Sequence, residues 1–262
     1  MIWTANKFLI SLSYPLPVSG EIMDFSNSYE DEIRAKAYAN LEFHNDYYLA
    51  FRDLPDIFRK YVKGKKALDF GCGTGRSTRF LKKHGFSAIG IDVSTEMISI
   101  AKILDPTGEY HVVKDENYSH FLPDSFDLIL STFTFDNIPH EEKISLFSNL
   151  NALLNYHGTL VNLVSSPEMY ANEWASFTTK DFPENKHAKT GDIVKIVTTE
   201  FEDKRPCYDI FCTDTDYKKI YLKAGLQIII TTKPLATGKE PYPWVNETTI
   251  APWTIYVLHR NY

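Results

Sequence analysis

The sequence predicts an α/β fold whose centre is a doubly wound, mostly parallel sheet of seven strands with an antiparallel last strand. Three observations support this prediction. Short apolar segments alternate with segments of helical spacing between residues 65 and 164, a glycine-rich turn joins the first strand to a helix, and two strand-like segments end the chain without a helix between them. Strands that follow each other without a crossover helix must pair antiparallel.

Each strand and helix can be placed in order along the chain. The seven predicted strands are KALDF, SAIGID, EYHVVKD, SFDLILSTF, TLVNLVSS, QIIITTKPL and WTIYVLHR. The predicted helices between them are RSTRFLKKHG, STEMISIAKIL, HEEKISLFSNLNALLNYHG and TDTDYKKIYLKAGL. The third of these is expected to continue to Gly158, since glycine commonly ends a helix. Before the sheet, residues 28–61 have helical spacing, and Pro55 is expected to restart or kink the run.

The chain is predicted to form one domain after an irregular N-terminal extension. Residues 165–212 break the alternation, because turns rich in Pro, Gly and Asn surround a strand-like segment, DIVKIVTTEFED. We interpret this region as an insertion before the last helix that acts as a lid. The predicted divisions are an extension over 1–24 and a domain over 25–262, with N-terminal helices 25–64, a ligand-binding core 65–164, the lid 165–212 and closing elements 213–262.

Composition narrows the choice of partner. The chain has 262 residues, 44% of them hydrophobic, and a formal net charge of −6 without a basic run. The sequence has no cluster of basic residues that could bind the phosphates of a nucleic acid, so a small molecule is the expected partner. No window reaches the roughly 18 apolar residues of a membrane span. Three cysteines without a metal-ligand spacing predict a cytoplasmic protein with no metal site; the sequence does not indicate an oligomeric state.

The glycine-rich turn, residues 71–76, has the sequence GCGTGR. Such a turn lets a ligand approach the main chain, and both dinucleotides and adenosyl compounds use it. The dinucleotide fingerprint needs a third glycine where Arg76 stands, which counts against a nicotinamide cofactor without excluding it. A carboxylate at Asp69 would repel a pyrophosphate but suits an ammonium or sulfonium group. Asp92 ends the second strand, where a carboxylate accepts hydrogen bonds from ribose hydroxyls.

These motifs resemble those of the class I S-adenosylmethionine-dependent methyltransferases, which have a Rossmann-like fold. The segment ALDFGCGTGRSTRFLKKHGFSAIGIDVSTEMISIAK resembles the first two binding motifs of that family, and VVKDENYSHFLPDSFDLILSTFTFDNIP is similar to the third and fourth. The resemblance extends from Lys65 to Ser165 and, more loosely, over the closing strands. The inserted region is most similar to small-molecule methyltransferases of the ubiquinone-biosynthesis and secondary-metabolite type.

The resemblance implies S-adenosylmethionine as cofactor and assigns residues to its parts. The implied contacts are Asp69 and the amides of Gly71, Gly73 and Gly75 with the methionine part, Asp92 with the ribose, Asp115 and neighbouring Glu116 or Asn117 with the adenine, Met97 with the adenine face, and Tyr38 covering the donor. Met97 is equally interpretable as an ordinary core residue of a helix. The alternative interpretation of Asp115 is a solvated acidic residue in a turn.

The acceptor side is expected above the carboxyl ends of the strands, where ligands bind in such sheets. In the loop after the fourth strand, Asp136 and His140 are the candidate catalytic groups, with a helix cap and a helix start as their alternatives. Aromatic and charged residues of the insertion are suited to a planar acceptor, although they could equally be ordinary packing. These candidate substrate contacts are Trp174, Phe177, His187 and Arg205.

The function expected from the resemblance is methyl transfer to oxygen or nitrogen of a small, planar or aromatic molecule by in-line displacement. The donor already carries the activated methyl group, so the protein mainly aligns two substrates and excludes water. Two alternatives stay open: a non-catalytic adenosyl-ligand-binding or scaffold subunit, and a nicotinamide-dependent oxidoreductase.

Overall fold

A computed structural model describes residues 43–114, 118, 121–200 and 202–261. Within these residues the main sheet has seven strands: β1 (Lys66–Phe70), β2 (Ser87–Asp92), β3 (Glu109–Val112), β4 (Phe126–Thr132), β5 (Leu154–Ser165), β9 (Leu226–Thr232) and β10 (Trp253–Arg260). Their order across the sheet is β3-β2-β1-β4-β5-β10-β9. The first five strands are parallel, and β10 runs antiparallel to both β5 and β9. The predicted fold class is confirmed.

Helices cover both faces of this sheet. In the described part of the chain they are α1 (Asp46–Arg52), α2 (Leu54–Tyr61), α3 (Arg76–Lys83), α4 (Thr95–Leu104), α5 (Lys143–Leu153) and α6 (Asp214–Lys223). Side chains fix two of their starts: Ser94 accepts a hydrogen bond from the Met97 amide, and Thr213 accepts one from the Asp216 amide. Pro55 lies in the first turn of α2, where a missing amide hydrogen costs nothing, so the predicted restart is confirmed.

One boundary differs from the sequence prediction. The helix expected to run to Gly158 ends at Leu153, and β5 begins directly at Leu154. Leu154 pairs with Phe126 on β4, so the strand starts several residues earlier than its apolar run suggests. Pairing with a neighbouring strand outweighs helical spacing here, because tertiary context overrides local propensity.

The insertion has a sheet of its own. Among the described residues it forms three antiparallel strands, β6 (Phe177–Thr178), β7 (Ile193–Thr198) and β8 (Cys207–Ile210), where the sequence predicts one strand. Its apolar side chains, including Val194 and Ile196, join the core that α1, α2 and α3 form on one face of the main sheet. Residues of α5 and α6 form the core on the other face. Within the described ranges, no helix has the length and apolar character needed to cross a membrane.

Candidate functional site

The strand order reverses between β1 and β4, and this point defines the candidate site. In open α/β sheets, ligands bind in the crevice at such a switch point, beyond the carboxyl ends of the strands. The glycine-rich turn follows β1 here, and Phe133 follows β4. Asp92 ends the neighbouring strand β2.

The glycine-rich turn requires glycine for conformational and steric reasons. Gly71, Gly73 and Gly75 have φ values of +71°, +52° and +81°, which side chains rarely adopt. A Cβ atom on Gly71 would lie 2.1 Å from the Thr134 hydroxyl oxygen, and one on Gly75 would lie 2.8 Å from the Tyr110 hydroxyl oxygen. The turn is therefore packed tightly against β3 and the loop after β4.

The amides of this turn have hydrogen-bond acceptors within the protein. The Gly71 amide donates to the Ile91 carbonyl at 2.8 Å. The Gly73 amide donates to Asp92 Oδ2 at 2.8 Å, and the Gly75 amide donates to the Cys72 carbonyl at 2.8 Å. All three donors are used within the protein. Through these bonds the glycines give the site its shape, and the implied contact of their amides with the methionine part of a ligand stays a prediction.

Asp69 lies at the base of the turn and is fully buried. Its Oδ2 accepts hydrogen bonds from the Ser77 hydroxyl at 2.7 Å and the Thr78 hydroxyl at 2.6 Å, both at the start of α3. Its Oδ1 is buried and has no hydrogen-bond partner among the described residues. Burial raises the pKa of Asp69 to about 6, so the carboxylate is largely ionised at neutral pH. An ionised carboxylate with one unsatisfied oxygen fits a cationic ligand group.

Asp92 connects the glycine-rich turn to the start of α4. Its Oδ2 accepts from the Gly73 amide and its Oδ1 from the Ser94 amide at 2.9 Å. Burial raises the pKa of Asp92, although backbone hydrogen bonds act in the opposite direction. The residue is partly exposed, and each carboxylate oxygen has a second lone pair. Asp92 can therefore accept ribose hydroxyls without losing its internal partners.

Of the other residues that the resemblance assigns to the cofactor, only Met97 lies within the described part of the chain. Met97 is buried in the first turn of α4, a position compatible with both interpretations given above. Tyr38, Asp115 and Glu116 lie outside the described residues, so their assignments stay predictions.

The loop after β4 changes the interpretation of Asp136. This carboxyl is buried, and its Oδ2 accepts from the Ser165 amide at 3.0 Å and the Ser165 hydroxyl at 3.1 Å. Burial raises its pKa to about 6. Asp136 holds the end of β5 in place, which argues against the catalytic role that the sequence predicts. It does not cap a helix either, because α5 begins at Lys143.

His140 is also placed differently from the expectation. It precedes the first residue of α5, so it does not start that helix. Its Cβ lies 3.9 Å from the position that a Cβ on Gly191 of the insertion would occupy, and the side chain is half-buried. No described contact directs it towards the glycine-rich turn.

The structure does not bring the four candidate substrate residues together. Trp174 is buried, and its indole N–H donates to the Met169 carbonyl at 2.8 Å. His187 is exposed at the end of a 3₁₀ turn, Pro183–His187. Arg205 is exposed and pairs with Asp203 at 2.8 Å. The burial of Trp174 fits the ordinary-packing interpretation, and the substrate contacts of His187 and Arg205 stay predictions.

Phe177 belongs to a group of rings that the sequence analysis missed. Tyr47, Phe133, Phe177 and Trp253, here called the aromatic cluster, come from α1, the loop after β4, β6 and β10. Ring centroids in this cluster lie 4.8 to 6.1 Å apart. The Arg76 guanidinium lies 4.6 Å from the Tyr47 ring centroid. Four separate segments supply the rings, so no local pattern could have predicted them.

A second missed feature is a contact between two buried carboxyls and a backbone segment. It consists of Asp46, Glu247 and the amide-donating Ser176, and is here called the carboxyl junction. Asp46 Oδ2 accepts from the Ser176 amide at 2.7 Å, and Glu247 Oε1 accepts from the preceding Ala175 amide at 2.6 Å. Both carboxyls are 0% exposed. Burial, and then the charge of Glu247, raises the pKa of Asp46 to about 8. The junction fastens α1 and the closing loop to the insertion.

No metal centre accompanies these groups. Across the parts of the chain that the structure describes, no three His, Cys, Asp or Glu side chains are grouped to hold a metal ion. Burial raises the pKa of the Cys72 thiol in the glycine-rich turn well above its usual value, so this cysteine is a poor nucleophile.

Comparison with known proteins identifies the family. Residues 43–194 match the family model described as a methyltransferase domain. An uncharacterized methyltransferase of Alkaliphilus oremlandii is 26% identical over 159 residues, which is 60% of this chain and 72% of the relative. An uncharacterized methyltransferase of Bacillus mycoides is 34% identical over 113 residues, 42% of this chain and 53% of the relative. The chain therefore spans between half and three quarters of the length of these relatives.

A solved structure agrees with this at the level of fold. The S-adenosylmethionine-dependent methyltransferase from Mesorhizobium loti superposes with a TM-score of 0.59 at 19% identity, covering 80% of this chain and 98% of its own. Since the family model matches more than half of the sequence, the chain belongs to the methyltransferase-domain family, in the fold class of the S-adenosylmethionine-dependent methyltransferases.

Proposed function

We propose that the protein transfers the methyl group of S-adenosylmethionine to oxygen or nitrogen of a small, planar molecule. The observation that carries this proposal is the pair of carboxylates, Asp69 and Asp92, at the carboxyl ends of β1 and β2 on either side of the glycine-rich turn. One has an unsatisfied buried oxygen suited to a cation, and the other has free lone pairs suited to ribose hydroxyls. A pyrophosphate would meet negative charge at both places.

Each described residue of the donor side has a distinct task. Asp69 faces the positively charged methionine end, and the Ser77 and Thr78 hydroxyls fix its orientation. Asp92 accepts the ribose hydroxyls while it holds the Gly73 amide. S-Adenosylmethionine, when bound, supplies a methyl group already activated on a sulfonium. The protein therefore needs to align the acceptor and exclude water, and neither task requires a metal ion.

The proposed binding site for the methyl acceptor is formed by the aromatic cluster and the insertion. Flat aromatic walls favour planar or apolar acceptors, as in the small-molecule methyltransferases that the insertion resembles. Residues 165–212 would act as the lid, since β6 contributes Phe177 to the cluster. Asp136 and His140 are not retained as candidate bases, so deprotonation of the acceptor is not assigned to a residue. The acidic net charge of −6 favours a small molecule over a nucleic acid, and we place the activity in the cytoplasm.

Calorimetric titration of the purified protein tests the cofactor. S-Adenosylmethionine and S-adenosylhomocysteine should bind and NADH should not. Binding of NADH alone would contradict the interpretation of the glycine-rich turn. Transfer of labelled methyl groups to a panel of planar hydroxyl and amine compounds then tests the reaction, and labelling of added protein or RNA but of no small molecule would refute the proposed acceptor class.

A further inference from the structure

Phe133 has an unusual backbone for an aromatic residue. Among the described non-glycine residues, three have positive φ: Asn45, Asp124 and Phe133, the last with a φ of +63°. The left-handed conformation costs a residue with a side chain about 1–2 kcal/mol. Strain of this kind is concentrated at functional sites, and Phe133 stands directly after β4 at the switch point of the sheet.

Neighbouring groups hold Phe133 in this conformation from both sides. Its amide donates to the Leu163 carbonyl on β5 at 2.8 Å, and its carbonyl accepts from Asn137 Nδ2 at 3.1 Å. The next residue, Thr134, donates its hydroxyl to the Phe70 carbonyl at the end of β1 at 3.1 Å. These bonds fix the backbone of Phe133 next to the glycine-rich turn.

The Phe133 ring is the accessible member of the aromatic cluster. It is half-buried, whereas Tyr47, Phe177 and Trp253 are buried. Trp253 lies 4.8 Å away on one side, measured between ring centroids. The Arg76 guanidinium carbon lies 6.0 Å from the Phe133 centroid. The ring is therefore held in surroundings where its π electrons already meet a cation.

The charge of Asp69 opposes that of Arg76 near the ring. Burial raises the pKa of Asp69, and the Arg76 charge acts in the opposite direction. Asp69 also keeps one buried oxygen without a partner among the described residues. Because the negative charge of Asp69 opposes that of Arg76, a second cation near the Phe133 ring would not face an uncompensated positive charge.

We propose that the Phe133 ring recognises the sulfonium of the methyl donor through a cation–π interaction and so makes the site discriminate between donor and product. This inference rests on the proposed function. The donor and the product differ at sulfur, which is positively charged in S-adenosylmethionine and neutral in S-adenosylhomocysteine. An aromatic quadrupole attracts the charged form and gains nothing comparable from the neutral one. The ring therefore favours the donor, and its attraction disappears when the methyl group leaves.

The test compares the dissociation constants of the two ligands by calorimetry. Phe133→Leu keeps an apolar side chain of similar size but removes the π system, whereas Phe133→Tyr keeps it. We expect Phe133→Leu to weaken the binding of S-adenosylmethionine by about 2- to 30-fold, the range of a cation–π contact, and the binding of S-adenosylhomocysteine by less than about twofold. Phe133→Tyr should retain the ratio of the wild type. Tyr156→Leu, at an exposed tyrosine near the start of β5, is the matched control and should leave both constants unchanged.

Other outcomes decide against the inference. Equal weakening of both ligands by Phe133→Leu would mean that the ring contributes only shape, and unchanged dissociation constants for both ligands would remove the ring from the site. If Phe133→Leu does not fold, Phe133→Met and Phe133→Trp give the same comparison, with the lower donor preference expected for Met. Failure of both ligands to bind the wild type would instead overturn the proposed function, and this inference with it.

Discussion

The glycine-rich turn and the carboxyl junction solve the same problem in different ways. In both, carboxyls accept backbone amides and so fix a loop: Asp92 does so in the turn, and Asp46 and Glu247 do so in the junction. The turn draws its carboxyls from one stretch, residues 69–92, whereas Asp46 and Ser176 in the junction are 130 residues apart. A contiguous stretch can be interpreted from sequence alone. The junction exists only once the fold has brought α1, the insertion and the closing loop together.

The two regions also differ in how they hold charge. Two hydroxyls donate to Asp69, and the nearby Arg76 charge opposes the rise in its pKa, which reaches about 6. Asp46 faces another carboxyl, Glu247, and its pKa rises to about 8. The turn therefore keeps a negative charge available at neutral pH, as cation binding requires. The junction keeps a proton on Asp46, as suits a structural link.

The largest effect is expected where the turn is most crowded. Gly71→Ala must combine a φ of +71° with a Cβ 2.1 Å from the Thr134 hydroxyl oxygen. We expect a loss of about 2–5 kcal/mol in the free energy of unfolding, the sum of left-handed strain and overpacking. Gly85→Ala is the control, since Gly85 has a φ of +83° but its nearest neighbour is 3.8 Å away. Urea titration should show about 1–2 kcal/mol for that variant, and equal losses for the two would contradict the steric argument.

A smaller effect is expected on ligand binding at the end of β2. Asp92→Ala removes the carboxylate proposed to accept ribose hydroxyls, and about 1.5–3 kcal/mol of S-adenosylmethionine affinity should be lost, the usual range for hydrogen bonds to a charged group. Calorimetry measures this loss. Asp56→Ala, at an exposed residue of α2, should bind as the wild type does. Unchanged affinity in a folded Asp92→Ala protein would remove Asp92 from the site.

The carboxyl junction should make stability depend on pH. In the folded protein Asp46 keeps its proton up to about pH 8, whereas an unfolded aspartic acid loses its proton near pH 4. The folded state therefore binds more protons in this window, and the free energy of unfolding falls as pH rises, by up to about 1.4 kcal/mol per pH unit for one proton. Below pH 4 the contribution is fully present, and above pH 8 it is lost.

Isosteric variants isolate this contribution. Asp46→Asn has no proton to release, so its free energy of unfolding, measured by urea titration at several pH values between 5 and 8, should fall less steeply with pH than that of the wild type. Glu247→Gln removes the charge that helps to raise the pKa of Asp46, so it should also weaken the pH dependence, and the double variant should add little to Asp46→Asn. An unaltered pH dependence in both single variants would separate the junction from the pH response.

The sequence predicted the parts of the molecule that one contiguous segment determines. The succession of strands and helices along the chain, the antiparallel last strand and the positions of Asp69 and Asp92 beside the glycine-rich turn follow from periodicity and motif spacing. The start of β5 at Leu154 was missed because pairing with β4 decides it. The structural contact of Asp136 with Ser165 was not foreseen, because Ser165 is contributed by the next strand. The aromatic cluster and the carboxyl junction depend on contacts between distant segments, which no local pattern contains.

The smallest effect is expected in the insertion, at a residue that its composition suggested for substrate binding. Arg205 is exposed and pairs with Asp203, which is exposed for 13% of its side chain, against 56% for the arginine. Exposed ion pairs contribute about 0–1 kcal/mol, so Arg205→Ala should change stability and cofactor affinity little. Phe177→Ala is the contrast within the same insertion, because that ring is buried in the aromatic cluster and its loss should cost about 3–5 kcal/mol of stability. If Arg205→Ala reduced methyl transfer while cofactor affinity stayed unchanged, the acceptor would contact the outer surface of the insertion, and the aromatic cluster would lose its place as the acceptor wall.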